Sequence, residues 1–201
     1  MNFPLFLFLS DSKKACFLAG FLFAGLGSSV ATAAPATLLI DDFSEVKRNG
    51  TDRPLFNDKD VGSHSEATQS CEKGVLVVKG ELVPGRGVPA FISVPLLLAA
   101  DMKPQDMSPY EGVRLRVKVN KGILSVQVAS ADVTNFDYHT GGPVATPGGG
   151  FQEVRLPFKA MKRGWSEQTA LNLKSITSVN LVAFGMAKDA FSFEVDEIGF
   201  Y

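Results

Sequence analysis

The last eleven residues, FSFEVDEIGFY over 191–201, restrict this chain more than any other stretch. Phe191, Phe193 and Val195 share one parity, as one face of a pleated strand requires. Ile198 and Phe200 have the opposite parity, so the apolar side changes between Asp196 and Glu197. One extra residue there, a β-bulge, returns all five side chains to a single core face. A strand this apolar has to lie inside a sheet, because an exposed one templates aggregation. The run LLIDDF over 38–43 is its expected neighbour, which ties the two ends of the folded chain together in a closed β-sandwich.

The first 33 residues read differently. Lys13 and Lys14 precede an apolar run from Ala15 to Leu26, and small residues follow up to Ala31, Thr32 and Ala33. A positive n-region, a short apolar centre and an A-x-A site describe a secretory signal peptide over residues 1–33. Cleavage is expected before Ala34, giving an exported product, periplasmic or secreted. Retention as a membrane anchor is the alternative, and the shortness of the run argues against it. Residues 34–201 then form one domain with no membrane span, large enough to bury a core without staples. Without Lys13, Lys14 and Asp11 the chain carries 18 basic and 20 acidic residues, a net charge of −2. That balance gives no electrostatic reason for a nucleic-acid partner. Cys71 is the one cysteine left, so an intramolecular disulfide is excluded, and burial is its expected state.

Short alternating runs dominate residues 34–201, which points to an all-β fold. Residues 74–80 and 88–94 read as strands, followed by a long connection over 95–109 with a helical turn at Leu96 to Ala100. Residues 112–119 give the clearest strand. Val113, Leu115, Val117 and Val119 face one way, and Arg114, Arg116 and Lys118 the other. Residues 124–129 repeat the pattern. A hairpin turn over 120–123 puts Val117 opposite Val126 and Arg116 opposite Gln127, keeping the faces unmixed. A polar, glycine-rich segment over 132–150 reads as a long loop of the kind that carries binding function. Residues 151–157 and 175–184 are further strands, the second apolar on both sides and therefore central. The total is eight or nine strands with one or two short helical turns, enough for two packed sheets.

Several stretches together resemble the complex I intermediate-associated protein 30 family. They are LIDDFS at 39–44, NDKDVGSHS at 57–65, YEGVRLRVK at 110–118, FQEVRLPF at 151–158 and FEVDEIGFY at 193–201. The resemblance implies a galactose-binding-like jelly roll, and its mitochondrial members help to assemble respiratory complex I. The turn departs from the family pattern, with Asp60, Val61 and Ser63 where Val, Met and a second Gly are usual. Phe151 stands where a tryptophan is usual.

Motifs for a serine hydrolase elbow, a zinc protease helix, a P-loop or a dinucleotide fold are absent, and no cofactor is expected. His64 between Ser63 and Ser65 reads as a polar turn, and His64, His139 and Cys71 lack metal-ligand spacing. Asp42 and Asp196, with Asp41 and Glu197, would converge if the terminal strands are neighbours; no metal is expected, the reading being a bulge whose carboxylates are solvated or capped by backbone N–H groups, with a calcium site as the alternative. The preferred ligand surface is the polar face around Arg114, Arg116 and Lys118. Gln127 would lie beside Arg116, and Tyr138, His139 and Gln152 would approach from the next elements. Planar hydrogen-bonding groups with an aromatic platform suit a sugar, so the expected role is a non-catalytic module binding a glycan or a protein partner. The alternative is a cell-envelope hydrolase or esterase with its site in the 132–150 loop.

Overall fold

A computed structural model describes residues 37–48 and 51–201. The predicted signal segment over 1–33 lies outside the described residues. Among the described residues eleven strands run as β1 (Leu38–Asp41), β2 (Phe56–Asn57), β3 (Glu66–Glu72), β4 (Val75–Leu82), β5 (Ala90–Leu97) and β6 (Gly112–Lys121). They continue as β7 (Leu124–Ser130), β8 (His139–Gly141), β9 (Gln152–Pro157), β10 (Ile176–Gly185) and β11 (Asp189–Phe200). Single 3-10 turns occur at Lys59–Val61, Phe158–Ala160 and Leu173–Ser175. The strands form two antiparallel sheets, a jelly-roll β-sandwich. The first has the order β3-β4-β11-β6-β9 with β1 also beside β11; the second has the order β2-β5-β10-β7-β8.

β11 has the bulge that its sequence demands. Val195 is opposite Val117 and Glu197 opposite Arg116, so Asp196 is the extra residue in the pairing with β6. Phe191, Phe193, Val195, Ile198 and Phe200 all point into the core and are fully buried or nearly so. On its other edge β11 pairs first with β4 and then, past the bulge, with β1, where Leu38 is opposite Phe200. The two ends of the folded unit therefore lie side by side in one sheet. Across the core, β10 sits between β5 and β7 and presents Val179, Leu181 and Ala183 to the first sheet.

Four details differ from expectation. β6 and β7 do not form a hairpin: β6 belongs to the first sheet and β7 to the second, linked by Gly122 and Ile123 alone. Alternation assigns a side chain to the core or the solvent, and both arrangements keep Val117 and Val126 inside. Gly122 makes the crossing feasible, with φ at +79° and a position where a Cβ would sit 2.8 Å from the Cβ of Phe191. β5 continues through Pro95 to Leu97, so no helical turn covers Leu96 to Ala100. Pro95 is accommodated because β2 reaches only Ile92 and Ser93, leaving the rest of that edge unpaired. The strands beyond the expected eight or nine are β2 and β8, of two and three residues, and β3, a polar edge strand. Cys71 lies on β3 and is exposed rather than buried.

Phe193 carries the clearest test of this core. Phe193→Ala is expected to lower unfolding free energy by about 3–5 kcal/mol, as large-to-small core changes do. Denaturant titration reads it, and a loss below about 1 kcal/mol would mean that the side chain does not fill the core.

Candidate functional site

The bulge in β11 also shapes the outer surface of the first sheet. It turns Asp196 and Glu197 to the same side, facing the cations of β6. Arg114 pairs with Glu197 and Arg116 with Asp196, while Lys118 Nζ lies 2.9 Å from Glu194 Oε1. Arg116 additionally covers the ring of Phe151, 5.1 Å from its centroid. Asn120 and Lys118 hydrogen-bond Glu194 and hold its carboxyl below the ordinary range. The row of like charges is thus neutralised by its own sheet, which removes the reason for assigning it a ligand.

Those same pairs occupy the carboxylates of the calcium alternative. Both oxygens of Asp41 are taken by buried Arg53, through Nε at 2.7 Å and Nη2 at 2.8 Å. Asp42 accepts from the hydroxyl and backbone N–H of Ser44, and Asp196 is committed to Arg116. Among the described residues no group of three metal-ligating side chains converges.

The proposed sugar surface is divided between opposite sides of the sandwich. Gln127 lies on β7, where it is opposite Asn180 of β10 and Thr140 of β8. Gln152 is opposite Val117, on the core-facing parity at the open end of β9, and Glu153 is the neighbour of Arg116 instead. His139 is opposite core residue Val128 and is buried; its Nε2 lies 2.7 Å from the carbonyl of Thr169 and donates to it. The imidazole of the 132–150 loop is therefore not set against a hydroxyl nucleophile.

What sequence reasoning missed is the outer face of the second sheet. Register places Ser125 and Gln127 of β7 there, with Ser178, Asn180, Val182 and Phe184 of β10. Phe91, Ser93, Pro95 and Leu97 of β5 share it, as do Thr140 and Phe56 at the two edges. Tyr138, two residues before Thr140, has the same parity. None of these residues is charged. Ser178 and Asn180 are each 5% exposed although they face away from the core, and Ser178 Oγ donates to Asn180 Oδ1 at 2.8 Å. The Gln127 amide and Asn180 Nδ2 form no hydrogen bond with any described group. Phe184 and Phe56, at 42% and 55% exposed, add apolar surface to the rim. The signal lay in the second parity of residues 176–185, where Ser178 and Asn180 interrupt an otherwise apolar strand.

Similarity to known proteins agrees with this architecture. The profile of the complex I intermediate-associated protein 30 family matches residues 44–195. The chain belongs to that family. No curated protein is significantly similar to it in sequence. Among solved structures, the family 11 carbohydrate-binding module of the cellulosomal cellulase Lic26A-Cel5E of Clostridium thermocellum superposes with a TM-score of 0.62 at 16% identity, covering 84% of this chain and 95% of the module. The Clostridium thermocellum family 11 module in complex with a β-1,3-1,4-mixed-linked tetrasaccharide gives 0.59 at 16% identity, covering 82% and 94%. The agarase AgWH50C gives 0.54 at 11% identity, covering 81% of this chain but only 24% of the enzyme.

The family turn over 57–65 is built around Asp58. This fully buried carboxylate accepts from Ser65 N at 2.9 Å, Ser65 Oγ at 2.6 Å and Phe91 N at 2.9 Å. Gly62 supplies the left-handed φ of +90° that closes the turn. Ser63 Oγ donates to the Pro89 carbonyl and accepts from Gly85 N. Both serine hydroxyls are thus spent within the turn and on the connection between β4 and β5, and Asp60, Val61 and Ser63 depart from the family pattern without undoing it.

A second buried carboxylate, Asp137, organises the loop before β8. Its oxygens accept from the backbone N–H groups of Gly164 (2.7 Å), Trp165 (3.0 Å) and Ser166 (2.6 Å). Burial pushes this carboxyl up, but hydrogen bonds from Ser166, Trp165 and Gly164 outweigh it and lower the pKa to about 2. A depressed folded-state value adds stability that is complete above the ordinary 3.8 and disappears as pH falls toward 2. Asp137→Asn is expected to lower the melting temperature at pH 7 and to flatten its decline between pH 4 and 2. Thermal unfolding across that range checks it, and parallel curves for the two proteins would contradict the clamp.

Proposed function

We propose that this chain is an exported, non-catalytic binding module that takes a glycan on the outer face of its second sheet. The observation that carries this reading is the contrast between the two outer faces. One neutralises its own charges with a ladder of ion pairs. The other has no charged side chain on its five strands, leaves the Gln127 amide and Asn180 Nδ2 unengaged, and is rimmed by Tyr138, Phe56, Phe91 and Phe184. Sugar hydroxyls need planar donors and acceptors, and the C–H faces of sugar rings pack on apolar or aromatic surface. Amides already in place and partly desolvated pay little ordering entropy on binding. The likeness in fold to a module solved with a mixed-linked tetrasaccharide supports a glycan over other ligands. The open face, with polar groups spread along four strands, suits an extended ligand.

Gln127→Ala is expected to weaken glycan binding at least tenfold, about 1.4 kcal/mol or more. Arg116→Ala, on the opposite face, is expected to leave it unchanged. A glycan array followed by calorimetry on the best ligand measures both. An array on which the intact protein retains no sugar would contradict the glycan reading and favour a protein partner, the class of interaction that the family's description implies.

A further inference from the structure

Phe136 and Trp165 are 73% and 75% exposed, the most solvent-accessible aromatic side chains described. Both stand just beyond β8, where the uncharged face reaches its edge. Thr140 of β8 exchanges backbone hydrogen bonds with Lys162, at 2.8 and 3.1 Å, so the segment leading to Trp165 continues the sheet by one bridge. The Phe136 ring meets that of Tyr138 edge-on, with centroids 6.3 Å apart. An aromatic path therefore runs from the face, through Tyr138, onto the loop.

The two loops are fixed to each other. The Asp137 carboxylate collects the three N–H groups of the Trp165 loop, and Asn135 Nδ2 donates to Ser166 Oγ at 2.9 Å. Arg163 Nη2 donates to Asn135 Oδ1 at 3.0 Å, and Gln168 closes back onto both the N–H and the carbonyl of Arg163. Phe136 itself has φ of +60°, a left-handed conformation that bulky residues rarely adopt. Strain and clamping together hold apolar rings in water, where burial would ordinarily be favoured. Arg163 adds no free charge, because its side chain is 13% exposed and sits 3.9 Å from Asp137, whereas exposed Lys162, opposite Thr140, brings one ammonium to this edge.

We infer that the Phe136 and Trp165 loops extend the glycan surface past β8, so that the ligand is an internal stretch of a polysaccharide rather than a chain end or a single sugar. This rests on the glycan reading of the second sheet. The five strands of that sheet span roughly 19 Å at the usual strand spacing, with Phe56 at one edge and the two loops at the other. Exposed rings lie at both edges of the polar centre, so a ligand can run on in either direction.

Trp165 is the chain's only tryptophan, so its emission reports this loop alone. The test titrates the intact protein with oligosaccharides of graded length cut from β-1,3-1,4-mixed-linked glucan, reading calorimetry and tryptophan emission together. Short oligomers are expected to bind without changing the emission, and longer ones to bind more tightly with a blue shift. Trp165→Ala is expected to lose about tenfold for long oligomers while keeping short-oligomer affinity, the scale of one aromatic contact. Binding at every length with silent emission, or an equal loss at every length in Trp165→Ala, overturns the extension and leaves the face intact. No binding at any length removes the face and the extension together. A blue shift on neutral phospholipid vesicles without a response to glucan overturns the inference and assigns the loops to a membrane surface.

Discussion

One extra residue in the last strand governs both the inside and the outside of this sandwich. Asp196 sits in β11 without an opposite number on β6, and everything beyond it changes sides. Ile198 and Phe200 are thereby brought into the core beside Phe191, Phe193 and Val195. The same displacement sets two carboxylates next to each other on the outer surface, within reach of Arg114 and Arg116. β11 is bordered by β4, β1 and β6, so its register is transmitted to most of the first sheet. A β-strand with period two has no other means of correcting a parity error without exposing its aromatic residues.

The two outer faces follow opposite chemical rules. Exposed ion pairs of the kind on the first sheet each stabilise by only a few tenths of a kcal/mol up to about 1 kcal/mol. Their larger effect is to leave no uncompensated cation on β6 for a ligand to meet. The second sheet has no charges to compensate, and it retains hydrogen-bonding capacity at Gln127 and Asn180. Around it, buried carboxylates do mechanical work. Asp58 pins the family turn to β5, Asp41 holds Arg53 behind the first strand, and Asp137 joins the loops that carry Phe136 and Trp165.

Much of the fold was legible because a core writes itself into parity. The bulge at Asp196, the pairing of the two terminal strands and the central position of β10 all follow from where apolar residues fall. Strand partners were not legible in the same way. Val117 and Val126 look inward whether their strands share a sheet or face each other across the core, and the real arrangement separates Arg116 from Gln127 by the whole thickness of the sandwich. That single ambiguity misplaced the candidate site. Tyr138 and Gln127 remain together on the uncharged face, whereas Arg114, Arg116 and Gln152 belong to the first sheet and His139 is buried. β2 and β8 were illegible because two or three residues carry no period. Trp165 gave no signal because its exposure depends on Asp137, 28 residues away in the chain.

The central claim is that recognition takes place on the uncharged face. Backbone amide chemical-shift mapping by NMR, with a bound neutral oligosaccharide, addresses it most directly. Shifts concentrated at Gln127, Thr140, Asn180 and Ser93 are the predicted result. Shifts concentrated at Arg114, Arg116 and Glu194, with the second sheet unchanged, would contradict it.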